Sequence, residues 1–126
     1  MMGYRSIIRI GLALIVGLAG AATAQAPPVV TVNCTAGESL AQAVQAAVPG
    51  TTIEVSGTCA EILTIITDDL TIEGQDGTVI DAQGASEIVV NIDAARRVTI
   101  RNVTIQGGLD GMQVSRNAVV TLEAII

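Results

Sequence analysis

The chain has 126 residues, of which 50% are hydrophobic, 12 acidic and 6 basic, with one Tyr as its sole aromatic residue and neither His nor Lys. That length suits a single domain. A formal net charge of −6 repels phosphate backbones and argues against a nucleic-acid partner. The missing His and Lys remove most general bases and nucleophile activators, so chemistry would fall to Asp, Glu, Arg, Cys, Ser and Thr.

At the N-terminus, Arg5 and Arg9 precede the apolar run Ile10 to Ala22, followed by the small-x-small tripeptides Ala22-Thr23-Ala24 and Ala24-Gln25-Ala26. This pattern predicts a cleaved signal peptide over residues 1–24 and export to the periplasm or medium. The run falls short of the roughly 20 apolar residues of a spanning helix, so no transmembrane segment is expected after cleavage. Cleavage leaves 12 acids against only Arg96, Arg97, Arg101 and Arg116, a net charge of −8.

Residues 25–37 read as an extended lead with Pro27-Pro28 and a short strand from Val29 to Asn33. Cys34 and Cys59 are the only cysteines, and an even pair in an exported chain reads as a disulfide. Closing such a loop contributes about 3 to 4 kcal/mol in the entropic account. Free or metal-binding thiols are the alternative, although two sulfurs without His offer few ligands for zinc. Over residues 38–50, Leu40, Ala41, Val44, Ala47 and Val48 share one helical stripe. Thr35 and Glu38 form a candidate capping box before it, and Pro49-Gly50 stops it.

From residue 51 to 126 the apolar period changes to two. Val98-Thr99-Ile100-Arg101-Asn102 recurs 22 positions later as Val120-Thr121-Leu122-Glu123-Ala124, and appears earlier as Leu70-Thr71-Ile72-Glu73-Gly74. Units of about 20 to 30 residues that cannot bury their apolar side alone must stack, which predicts an all-β solenoid. The register puts Leu70, Val98 and Val120 in one inward column and Ile72, Ile100 and Leu122 in another. It puts Thr71, Thr99 and Thr121 in an outward column, and Glu73, Arg101 and Glu123 in the next. Asp68 falls beside Arg96 and Asp69 beside Arg97. Gly74, Asn102 and Ala124 occupy a turn position suited to left-handed backbone, Ala124 least well.

An amphipathic helix followed by coils of about 22 residues with three short strands and an Asn or Gly bend resembles the right-handed parallel β-helix of the pectate lyase-like superfamily. Pro49 to Cys59 is similar to that family's first coil, and Leu70 to Gly74 with Thr78 to Asp81 to its second. The resemblance implies that the helix closes the N-terminal end of the apolar bore, and that Cys34 ties the lead to an early coil at Cys59. The apolar residues Val120, Leu122 and Ile125 on the last rung lack any comparable cover. The expectation is therefore a β-helix apparently truncated at its C-terminus, or one that self-associates through that uncapped coil.

For function, lyases of this fold imply an Arg base beside acid-bound calcium, for which Asp68, Asp69, Asp93 and Asp110 are candidate ligands and Arg96, Arg97 and Arg116 candidate bases. The register instead assigns Asp68, Asp69, Arg96 and Arg97 to surface ion pairs, which need no chemistry. Asp76-Gly77, Asp81 and Asp110-Gly111 could suggest calcium loops, but the repeat that makes calcium solenoids convincing is absent, and such dipeptides are common turns. The expectation is thus an exported domain without catalytic, cofactor or metal residues of its own, structural or in contact with a polysaccharide or cell surface. The alternative is the N-terminal part of a polysaccharide lyase whose active-site coils lie elsewhere.

Overall fold

The computed structural model describes residues 26–126. The expected signal peptide, residues 1–24, lies outside them. The described chain forms ten strands and one α-helix: β1 (Val29–Asn33), α1 (Leu40–Ala46), β2 (Thr52–Ser56), β3 (Thr58–Cys59), β4 (Leu63–Ile65), β5 (Thr71–Gly74), β6 (Val79–Asp81), β7 (Ile88–Asp93), β8 (Val98–Gln106), β9 (Asp110–Ser115) and β10 (Val120–Ile125). Every strand pairing is parallel, and the strands curl through 285° round an axis in a solenoid-like arrangement.

Three faces result. The first stacks β1, β2, β5, the start of β8, and β10; the second stacks β3, β6 and the end of β8; the third stacks β4, β7 and β9. The repeat unit that begins at Val98 thus runs past its Asn102 turn position as one strand, bent at Asn102, that serves two faces. Its Thr99 to Arg101 pair with β5 and its Thr104 to Gln106 with β6.

The register agrees with the repeat: Val120 lies beside Val98, Thr121 beside Thr99, Glu123 beside Arg101, and Thr71 beside Thr99. It also extends one rung further than the repeat suggested, since Thr52 lies beside Thr71 and Glu54 beside Glu73. Inward residues at alternate positions build the core, with Ile53, Ile72, Ile100, Leu63, Ile65, Ile80, Val90 and Ile92 fully buried. Each contributes about 1.5 to 3 kcal/mol of burial, which offsets the entropy of ordering such short strands.

The helix is shorter than the residue-38-to-50 expectation, and its cap differs. Asn33 caps a 3₁₀ turn at Cys34–Ala36, its Oδ1 accepting from Ala36 N, while Glu38 Oε1 accepts from Asn33 N at 2.7 Å. The helix proper begins after Ser39, whose Oγ accepts from Gln42 N. Thr35 therefore caps nothing. Helical spacing still holds: Leu40 and Val44, four apart, enter the same core as the strands.

Corners are turned by left-handed backbone. Positive φ occurs at Gly50, Asp69 and Arg97 ahead of β2, β5 and β8, at Asn102 and Ala124 within β8 and β10, and at Ala94 and Arg116 after β7 and β9. Gly74 departs from the expectation, for it is not left-handed. Its role is clearance: a Cβ there would strike Asn102 O and Val103 Cγ1 of the next rung.

Candidate functional site

Three side-chain clusters stand out among the described residues, and the first holds most of the acids and arginines singled out in the sequence. The first is the acid–arginine ladder. Asp69 receives both Nε (2.5 Å) and Nη2 (2.9 Å) of Arg97, and Asp93 takes the same two-pronged grip from Arg116. Asp68 Oδ1 accepts from Arg96 N at 2.9 Å, which makes this partner a backbone amide and not the guanidinium expected. Arg101 lies between Glu123 at 3.2 Å and Glu73 at 3.8 Å.

The chemistry of these pairs is structural. The Arg97 hydrogen bond holds the Asp69 carboxyl below its ordinary value, and the Arg116 hydrogen bond does the same for Asp93. Both guanidiniums are pushed up in turn, the reverse of what an arginine serving as base requires. Asp81 likewise sits below the usual range because Gln106 Nε2 and then Gln83 N donate to it. The candidate calcium ligands Asp68, Asp69, Asp81 and Asp93 thus have protein partners, while Asp76 stands on an exposed turn and Asp110 at the exposed start of β9. The Asp93–Arg116 pair was not anticipated: the 22-residue offset sets Asp93 beside Ser115, and Arg116, one residue further on, reaches back to it.

A second cluster ties the N-terminal elements together. Cys34 and Cys59 form a disulfide, with Cα atoms 5.1 Å apart, and a disulfide belongs to an oxidising, non-cytoplasmic compartment. Two residues on, Glu61 reaches back to the start of α1 and accepts from Ser39 Oγ (2.5 Å), Leu40 N (2.8 Å) and Ala41 N (3.3 Å). The carboxylate satisfies orphan helix donors and faces the positive end of the helix. The ligand atoms of Cys34, Cys59 and Glu61 lie within 4.8 Å of one another, but sulfurs joined to each other have no thiolate to give a metal. Sequence reasoning missed Glu61 because it caps a helix twenty residues away.

The third cluster is a groove of about 370 Å³ on the outer side of the third face. Thr64, Asn91 and Gln113 lie in register across β4, β7 and β9, an outward column without charge. Thr64 and Asn91 line the groove together with Ile62, Ile88 and Leu109, and Ser86, Glu87 and Asp110 complete its rim. Leu109 is 72% exposed, and nearby Ile66, in a second recess that shares Thr64, is 69% exposed. Asn91 Oδ1 is buried with no hydrogen-bond partner. The sequence offered no signal for this groove, because its residues come from three separate segments, and only Asp110 belongs to a dipeptide noted in the sequence.

No protein-family model matches the chain, and no curated protein or solved structure shows a significant match to it. Among the described residues no helix is long and apolar enough to cross a membrane.

Proposed function

We propose that the chain is an exported, right-handed parallel β-helix of the pectate lyase-like kind that acts as a non-catalytic scaffold, meeting an extended polysaccharide or cell-surface component along its third face. Right-handedness follows the rule that crossovers between parallel strands take that hand in about 98% of cases. Export rests on the signal-like N-terminus, and the disulfide is consistent with it.

The observation that carries the reading is the contrast in how outward side chains are used. Arg97, Arg101 and Arg116 spend their charge on neighbouring rungs, whereas the Thr64, Asn91 and Gln113 column and the exposed Ile66 and Leu109 beside it have no such engagement. Hydroxyl and amide groups at rung spacing, about 4.8 Å apart, suit a repeating polymer laid along the solenoid axis. Without aromatic platforms, affinity is expected to be weak and built from many contacts. The lyase alternative asks for an arginine free to take a proton; Arg97 and Arg116 are committed to Asp69 and Asp93, so of the candidate bases it falls to Arg96, whose guanidinium has no ion pair among the described residues.

Amide chemical-shift perturbation with soluble glycan oligomers tests the reading. Shifts clustered at Thr64, Asn91 and Gln113 are the expected result. Shifts confined to the face bearing Glu73 and Arg101, or none with any oligomer, would sink it. The outer edge of β10, unpaired among the described residues, is proposed in addition to mediate self-association. Sedimentation that stays monomeric at high concentration would exclude that.

A further inference from the structure

We infer that the groove on the third face selects a polysaccharide carrying protonated amines and rejects polyuronides; this rests on the glycan-scaffold reading above. The rim holds two carboxylates, Glu87 and Asp110, and neither has an ion-pair or side-chain hydrogen-bond partner among the described residues. None of the four arginines lines the groove, and the mature chain has no Lys or His to neutralise it. Most acids elsewhere are answered, Asp69, Asp93 and Glu123 by guanidiniums, Asp68 by a backbone amide and Glu61 by a helix terminus, while Glu54 on the first face and Asp76 on an exposed turn stand outside any groove shared with a second unpartnered carboxylate. The groove therefore keeps uncompensated negative charge from two carboxylates in a concave, partly apolar setting.

The remaining lining consists of acceptors and aliphatic surface. Asn91 carries an unsatisfied side-chain oxygen, and its terminal torsion is soft enough to turn the amide toward a donor in the groove. Thr64 and Ser86 add hydroxyls, and Leu109 offers apolar area to a sugar ring. An ammonium on an aminohexose supplies donors and a positive charge together. A uronate brings a carboxylate against Glu87 and Asp110 with no guanidinium to receive it, and like-charge juxtaposition is a strong basis for rejection. The in-register Thr64, Asn91 and Gln113 column favours a chain of repeating rings over a basic peptide, whose side chains alternate in direction.

Calorimetric titration of the purified protein with three hexamers decides the matter: glucosamine, N-acetylglucosamine and galacturonate. The glucosamine hexamer is expected to bind on the order of tenfold more tightly than the acetylated one, with the galacturonate hexamer not binding and the preference shrinking as salt rises. Replacing both rim acids (Glu87→Gln with Asp110→Asn) should abolish the preference, while Glu54→Gln on the first face should retain it. Equal affinity for the amine and its acetylated form overturns the inference and leaves the scaffold reading standing; binding by none of the hexamers overturns both. Loss of preference in Glu54→Gln would assign the effect to overall charge instead of the groove. A lysine hexamer that binds as tightly as the glucosamine hexamer, with the same dependence on Glu87 and Asp110, would overturn the choice of a sugar ligand.

Discussion

The first and last rungs among the described residues are packed differently. At the N-terminal end, Leu40 and Val44 of α1 are buried, Glu61 holds the helix terminus, and the Cys34–Cys59 disulfide joins the 3₁₀ turn to β3. At β10 the repeat continues in register, yet Leu122 is 48% exposed where its column-mates Ile72 and Ile100 are fully buried. The same apolar position thus contributes much or little according to what lies on the next rung. Stability in a stacked fold resides in interfaces between rungs more than in the rungs themselves.

Substitutions at matched positions sharpen that comparison. Leu40→Ala is expected to cost about 2 to 5 kcal/mol in urea unfolding, as a fully buried leucine that leaves a cavity. Leu122→Ala should cost under about 1 kcal/mol, and equal losses at the two sites would break the comparison. Removing the disulfide by Cys34→Ser with Cys59→Ser should cost about 2 to 5 kcal/mol, seen as a lowered urea midpoint. Glu61→Ala should cost about 1 to 2 kcal/mol through lost helix capping, with faster hydrogen exchange confined to the start of α1.

Smaller effects are expected at the other end. Ala124 adopts φ 52°, a conformation that L-residues other than Asn and Asp rarely visit. Ala124→Gly should stabilise by roughly 0.5 to 1 kcal/mol, since relief of strain exceeds the added freedom of the unfolded chain. The smallest effect is acid sensitivity. Arg97 and Arg116 hold Asp69 and Asp93 below their unfolded values, so these groups stabilise the fold above the usual carboxylate range. That contribution disappears as pH falls below about 4 and through the lower folded values. Thermal melts should therefore be flat from neutral pH to about 5 and decline below it, and Asp69→Asn with Asp93→Asn should make the decline shallower.

What the sequence disclosed follows the range of the physics involved. Repetition exposed the stacking directly, because Thr71, Thr99 and Thr121 mark the same point on successive coils, and the Asp69–Arg97 pair came with it. Thr52 escaped because its coil is shorter and Glu54 breaks the expected alternation of charge by lying beside Glu73. Gly74 was assigned to a bend by analogy with Asn102, whereas it is required by the closeness of the next rung, a fact of three dimensions. Glu61 and the groove were illegible for the same reason. A carboxylate that caps a distant helix, and a recess assembled from β4, β7, the start of β9 and the segments leading into them, leave no periodic trace.

The unequal coils have a practical meaning. Thr52, Thr71, Thr99 and Thr121 share one column although 19, 28 and 22 residues separate them. The longest interval places its surplus in the segments between β5 and β6 and between β6 and β7, around Gly77 and Gly84, where a side chain at either glycine would meet open space. The fold thus measures position across the stack and ignores distance along the chain. A foreign peptide spliced between Gly84 and Ala85 should leave β6 and β7 in place and stand out at a known height on the column, so the molecule works as a ruler on which cargo can be mounted.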